Sequence, residues 1–343
     1  MSATGTNKLD EPCDRCVVLR FHSEQAEAAL GILFKAHAKE TIEHRDWFKL
    51  FSSEPYALLK QRETEMGIEF TDGDFKKFLL SPEMVRKFSS LKDTVELWTA
   101  IDLLPTALRT LDYLPAESRI KARVLPVIKP LPNTFVYGSS ADPMVFLYVD
   151  PALGATQLET IIAHELHHIG LFPFECLAQE RIKFLPSPVR HAVELLGAFR
   201  EGYAMLAAAG GPDIHPHAVD GAAERDRWDR SLANFGADLK AIERFLLDVV
   251  DQRLTREQAE RIGMGFYGRQ GPWYTVGWHM AAIVEKNYGR DALIECMLDP
   301  RLLLLRYNAA VSEANGSAWG NKSEVWSPVL ISALCPGSER NSY

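Results

Sequence analysis

The chain has 343 residues, 47% of them hydrophobic and 24% charged, with a net charge of −8. This is an ordinary globular balance, enough to bury a substantial core as one large domain or two smaller ones. The acidic balance without any Lys/Arg run argues against a nucleic-acid surface, and no stretch approaches the about 18 apolar residues of a membrane span.

The N-terminus, MSATGTNKLDEPCDRC, is polar and lacks the apolar segment of a secretory signal, so a cytoplasmic location is expected. Five cysteines, an odd number in a large chain, suit a reducing compartment better than a disulfide framework. Residues 1–16 read as a disordered tail. Its Cys13 and Cys16 form one C-x-x-C without the second pair that a zinc ribbon needs, so they read as incidental thiols. Cys176, Cys296 and Cys335 read as small apolar residues.

Residues 17–132 read as a mainly helical region. Val17 to Phe21 is a strand candidate, and Ser23 caps a helical pattern, EQAEAALGILFKAHA. Helical sequence continues to about Tyr113, broken at Pro55, Gly67, Thr71-Asp72-Gly73 and Ser81-Pro82. His37 and His44 lie there without a companion motif. Pro115, Pro126, Pro130 and Pro132 mark a linker or irregular strand region. Residues 133–312 read as the catalytic region and open with two strands, Asn133 to Tyr137 and Met144 to Val149. The second is a candidate for pairing with an extended substrate through backbone hydrogen bonds, with a purely structural role as the equal alternative.

The stretch Thr156 to Gly170, TQLETIIAHELHHIG, carries the most specific signal. Thr156 and Glu159 form a T-x-x-E capping box, and Gly170 supplies a stop. Leu158, Ile161, Ile162, Leu166 and Ile169 make one apolar stripe. His164 and His168, four residues apart, project together on its flank, and His167 points away, as a surface residue or as one that supports the site from behind. This is H-E-x-x-H: two imidazoles that can bind one zinc ion, with Glu165 between them as general base toward a water.

After a short helix, Glu175 to Phe184, the segment Val189 to Ala209 reads as one helix with two faces. One holds Ala192, Leu195, Leu196, Phe199, Tyr203 and Leu206; the other holds Glu194, Ala198, Glu201, Met205 and Ala208. Gly197 and Gly202 would let neighbours approach closely, and carboxylates so confined need a partner. Catalytic zinc takes three protein ligands. Glu201 is the preferred third, with Glu194 in competition. Gly221 to Asp251 and Arg256 to Ile262 read as helices, Gly263 to Pro272 as a flexible loop, and Tyr274 to Tyr288 and Asp291 to Leu298 as two further helices. Tyr274 or His279 could steady an oxyanion. Tyr203 faces away from Glu201, and Trp273 and Trp278 could line a pocket. Residues 313–343 read as a loop-like tail.

HELHH followed by the helix carrying Glu201-Gly202-Tyr203-Ala204 resembles the gluzincin group of zinc metallopeptidases. More closely, the chain resembles a family of uncharacterised zinc-dependent peptidases. The strand-helix start VVLRFHSEQAEAALGIL and YTVGWHMAAIVEKNYG add to this likeness, which spans most of Val17 to Asn308. The resemblance implies a mainly α fold with a small β-sheet (α+β), zincin-like, holding one Zn2+ on His164, His168 and Glu201, with Glu165 as base and a peptide or protein as substrate. Two departures matter. Met205 stands where thermolysin-like enzymes carry an Asp four residues after the ligand Glu, and the aminopeptidase motif G-x-M-E-N is absent near Met144. A zinc amidase or esterase shares the same chemistry. A catalytically silent binding protein of this fold would not need Glu165.

Overall fold

The computed structural model describes residues 17–315 and 324–335, so the readings of residues 1–16, Cys13 and Cys16 among them, lie outside the described residues. The chain is mainly helical with a four-stranded sheet. It divides into two units, Met1–Ala155 and Thr156–Tyr343.

The first unit holds the sheet: β1 (Val17–Phe21), β2 (Ile120–Val127), β3 (Phe135–Tyr137) and β4 (Met144–Tyr148), in the order β1-β2-β4-β3. β1 and β4 run parallel to β2, and β3 runs antiparallel to β4. Parallel neighbours require a crossover. Here it is the whole helical run from Glu24–Ala38 to Leu104–Leu111. Leu125, Val127, Met144 and Phe146 pack with Leu59 in a core where Phe135 stacks on Phe146 at 5.1 Å.

The proline-rich stretch therefore contains a regular internal strand. Pro126 is tolerated because β1 ends opposite Val124, so no ladder partner awaits the missing N–H. Two residues on and facing the same side, Ile128 turns to a side chain instead. Its N–H donates to Gln25 Oε1 at 2.9 Å, and its carbonyl accepts from Gln25 Nε2 at 2.8 Å. Gln25 is fully buried and stands in for the strand that has ended.

The same topology corrects the expectation for Met144–Val149. β4 is paired on both edges, to β2 and to β3. A strand with both edges occupied has no free ladder for a substrate to join.

In the second unit the helix Ala155–Leu171 carries the H-E-x-x-H residues. Leu158, Ile162, Leu166 and Ile169 are buried, each contributing roughly 1.5–3 kcal/mol of transfer free energy. Thr156 lies inside the helix and is not its cap, and the helix runs through Gly170 into a 3-10 turn, Phe172–Phe174. His167 is fully buried, which excludes the first of the two positions expected for it, the surface.

The expected single helix over 189–209 is two, Ser187–Leu196 and Arg200–Ala209, joined by a 3-10 turn at Gly197–Phe199. Gly221 to Asp251 is likewise divided at Asn234, into Ala222–Ala233 and Phe235–Val250. Arg256–Gly265 is helical, and the long helix Pro272–Leu298 is interrupted by non-helical backbone at Gly289, φ 81°. Past residue 313, helices continue to Asn315 and resume over Pro328–Leu334. There Trp326 is buried, its N–H donating to Asn308 Oδ1 at 3.0 Å. The tail reading thus gives way to packed structure over these residues.

Arg200–Ala209 crosses the long helix at two glycines. A Cβ on Gly202 would lie 2.2 Å from the Gly277 carbonyl carbon and 2.2 Å from the Trp278 nitrogen. Only hydrogen fits at that position, so Gly202 allows the close approach foreseen for it. Gly197 behaves otherwise, with nothing within 4 Å of its Cβ position.

Candidate metal centre

His164 and His168 stand one turn apart, rings 4.8 Å between centroids and nearly perpendicular. Glu201, on the first turn of its own helix, closes a triangle with them. The Nε2 atoms of His164 and His168 are 3.1 Å apart, and Glu201 Oε2 lies 3.2 Å from the first and 3.4 Å from the second. No other group of three or more His, Cys, Asp or Glu among the described residues could hold a metal ion.

The donor set suits zinc. Zinc–ligand distances of about 2.0–2.1 Å in a tetrahedron place neighbouring ligand atoms about 3.3–3.4 Å apart, close to all three sides of the triangle. Three lone-pair atoms so close, 15–18% exposed, otherwise need a shared proton or cation. His164, His168 and Glu201 are the residues that could hold the ion.

Burial works to raise the Glu201 carboxyl. The charges of His168 and His164 lying against it outweigh that, holding the group well below the usual carboxylate range. Glu165 is different: buried beside the cluster, it is pushed up to about 7, with His164 opposing and Glu201 reinforcing the shift.

Tyr274 stacks on His164 with ring centroids 6.2 Å apart and planes 10° from parallel. Its hydroxyl is raised above its ordinary range by burial and by the nearby Glu201 charge, and therefore stays protonated. The rival His279 packs elsewhere, its ring 4.3 Å from Phe235 and 6.3 Å from Tyr307. Glu194, the competing carboxylate, is engaged by Arg256 at 3.3 Å and Arg190 at 3.9 Å.

His168 and Glu201 line an open cleft of about 1060 Å³ with Arg200, Met264, Tyr267 and Trp273. Trp273 is buried, and its indole N–H donates to the Gly263 carbonyl at 2.8 Å, which gives it a structural role as well as a place on the wall. Trp278 packs edge-on against Trp228, 5.8 Å away. Cys176 is exposed on the cleft wall rather than buried.

Tyr267 was not singled out by the sequence. Its hydroxyl is raised by burial and by the Glu201 charge, and its ring meets Tyr274 edge-on at 6.4 Å. The Gly263–Pro272 stretch reads as an undifferentiated glycine-rich loop. The one available signal was the aromatic pair seven residues apart across it. Among the described residues, no carboxylate orients the His164 imidazole. His164 Nδ1 is buried with no hydrogen-bond partner among the described residues, consistent with Met205 at the place expected to carry an acid.

A helical chain with a small sheet and a His-His-Glu cluster beside a cleft defines a class: a protein able to hold one divalent metal on three side chains. The chain belongs to the family described as "Putative zinc dependent peptidase (DUF5700)", whose model matches residues 47–316. No curated protein and no solved structure matches it. No helix among the described residues is long and apolar enough to cross a membrane.

Proposed function

We propose that the protein is a zinc-dependent metallopeptidase of zincin-like, gluzincin type, with one zinc ion on His164, His168 and Glu201 and Glu165 as general base. The observation that carries this reading is the triangle of imidazole and carboxylate atoms, 3.1–3.4 Å on a side, with a buried carboxyl next to it.

Bound there, zinc would supply Lewis acidity, polarising the scissile carbonyl and making water more acidic. Glu165 accepts the proton of the attacking water, since burial makes it a stronger base than an exposed glutamate. It then returns that proton to the leaving amine. Tyr274 keeps its proton at neutral pH and donates to the oxygen on which negative charge develops. The open cleft beside His168 and Glu201 gives room for an extended chain.

The test is metal content of purified protein, wild type beside Glu201→Ala and Glu165→Gln, followed by a peptide-library screen. About one zinc per chain, kept in Glu165→Gln and largely lost in Glu201→Ala, is expected, with cleavage abolished in both. Full zinc retention in Glu201→Ala would move the third ligand elsewhere. No zinc in any of the three would refute the enzyme reading.

A further inference from the structure

Behind the cleft lies a second, smaller cavity. Ile182, Val193, Leu196, Tyr203, Cys296 and Met297 wall it, and it shares Gln179, Glu194, Gly197 and Arg200 with the cleft that holds His168 and Glu201. Its volume is about 40 Å³, where about 10–15 Å³ houses one water. That is room for a short side chain.

Two residues give this cavity a chemical character. Tyr203 is 2% exposed, and its hydroxyl has no hydrogen-bond partner among the described residues. Tyr203 itself lines the cavity, with Cys296 and Arg200 beside it on the wall. The Cys296 thiol is already engaged, donating to the Ala292 carbonyl at 3.2 Å. A buried hydroxyl left unpaired is costly, and a ligand atom is one way to satisfy it.

The second residue is Gly197, on the wall common to both cavities. Its backbone is ordinary, φ −55° and ψ −21°, so no left-handed conformation demands glycine. No neighbour demands it either, since nothing lies within 4 Å of its Cβ position. Glycine between two helices gives up backbone entropy, and here the physical return is open space at the mouth of the small cavity.

We propose that this cavity is a substrate subsite for a short hydroxyl-bearing side chain, threonine or serine, on a peptide lying in the cleft. This rests on the peptidase reading. The aliphatic walls receive the carbon atoms, and the Tyr203 hydroxyl exchanges a hydrogen bond with the ligand hydroxyl. Long side chains exceed the volume.

The experiment compares quenched fluorescent peptides that carry threonine, valine or glycine in turn at each position around the scissile bond. Threonine and valine have nearly the same shape, so their ratio isolates the hydroxyl. Zinc-loaded wild type is expected to favour threonine over valine at one position by about three- to tenfold in kcat/KM. Tyr203→Phe should bring that ratio to about one. Gly197→Val, which builds into open space, should lower turnover of the threonine peptide by a larger factor than turnover of the glycine peptide. A threonine preference that survives Tyr203→Phe, or no preference at any position, would overturn the subsite. Should wild type cleave none of the peptides, the peptidase reading falls by itself. Binding of the same peptides to Glu165→Gln protein, read by fluorescence anisotropy, then decides the subsite: a threonine preference lost in Tyr203→Phe supports it, and indifference refutes it. Should Tyr203→Phe fail to fold, the Gly197→Val comparison carries the test.

Discussion

Substituting alanine for Gly202 tests whether the placement of Glu201 depends on the glycine crossing. The added Cβ would lie 2.2 Å from two backbone atoms of the long helix, at Gly277 and Trp278. Backbone cannot swing aside as a side chain does, so the two helices must part by about 1.2 Å to restore ordinary contact near 3.4 Å. Overpacking in a core costs about 1–3 kcal/mol, and a backbone clash belongs at or above the top of that range. For a unit the size of Thr156–Tyr343, about 3 kcal/mol lowers the melting midpoint by about 6–12 °C. The site is affected too. Glu201 precedes the crossing by one residue, and Tyr274 lies one turn before Gly277. A displacement near 1 Å exceeds the roughly 0.2 Å tolerance of a metal–ligand distance. Calorimetric melting and zinc titration of Gly202→Ala should therefore show a lower midpoint and weaker zinc binding together. A midpoint within 2 °C of wild type with unchanged zinc affinity would refute the argument.

Other outcomes follow from the same geometry. Tyr274→Phe removes the hydroxyl but keeps the ring on His164, so zinc should stay bound while kcat falls by about 10²–10³-fold with little change in KM; a loss under threefold, measured on the best library peptide, would deny Tyr274 its role. His279 is buried against Phe235, and burial, with the Lys286 charge adding, lowers it to about 4. The folded protein resists a proton that the unfolded chain accepts below about 6.5, so this group's stabilisation is complete above that pH and is lost as pH falls toward 4. Denaturant unfolding from pH 7 to 4 should show a shallower acid limb in His279→Leu than in wild type; parallel limbs would contradict the assignment.

The metal helix was legible because its information is local. His164 and His168 are related by one helical turn, and Leu158, Ile162, Leu166 and Ile169 declare the buried side at the same period. The position of Glu201 beside the two histidines was legible for a related reason, a carboxylate on a confined helix face beside a glycine. What the sequence hid is what depends on distant partners. Pro126 argues against an internal strand until β1 is seen to stop short of it, and Gln25 looks like an ordinary polar helix residue until it is found completing that strand. His167 is left between the surface and a supporting place by a wheel, because a wheel shows one helix and not its neighbours. Gly197 and Gly202 are indistinguishable in sequence, yet one admits a helix backbone and the other leaves a cavity open.

The parallel pairing of β1 with β2 also bears on how the chain is made. Val17 meets Ile120 and Phe21 meets Val124, partners separated by about a hundred residues of helices. At about 5–20 residues per second of synthesis, β1 has left the ribosome roughly 5–20 s before its neighbour exists. β2 must wait again, more briefly, for β4. Through that interval the apolar VVLRF segment has an unpaired edge on both sides, the kind of segment that holding chaperones bind and that aggregation begins from. The helices of the crossover can form as they emerge, so they stand ready as a scaffold on which the sheet closes last.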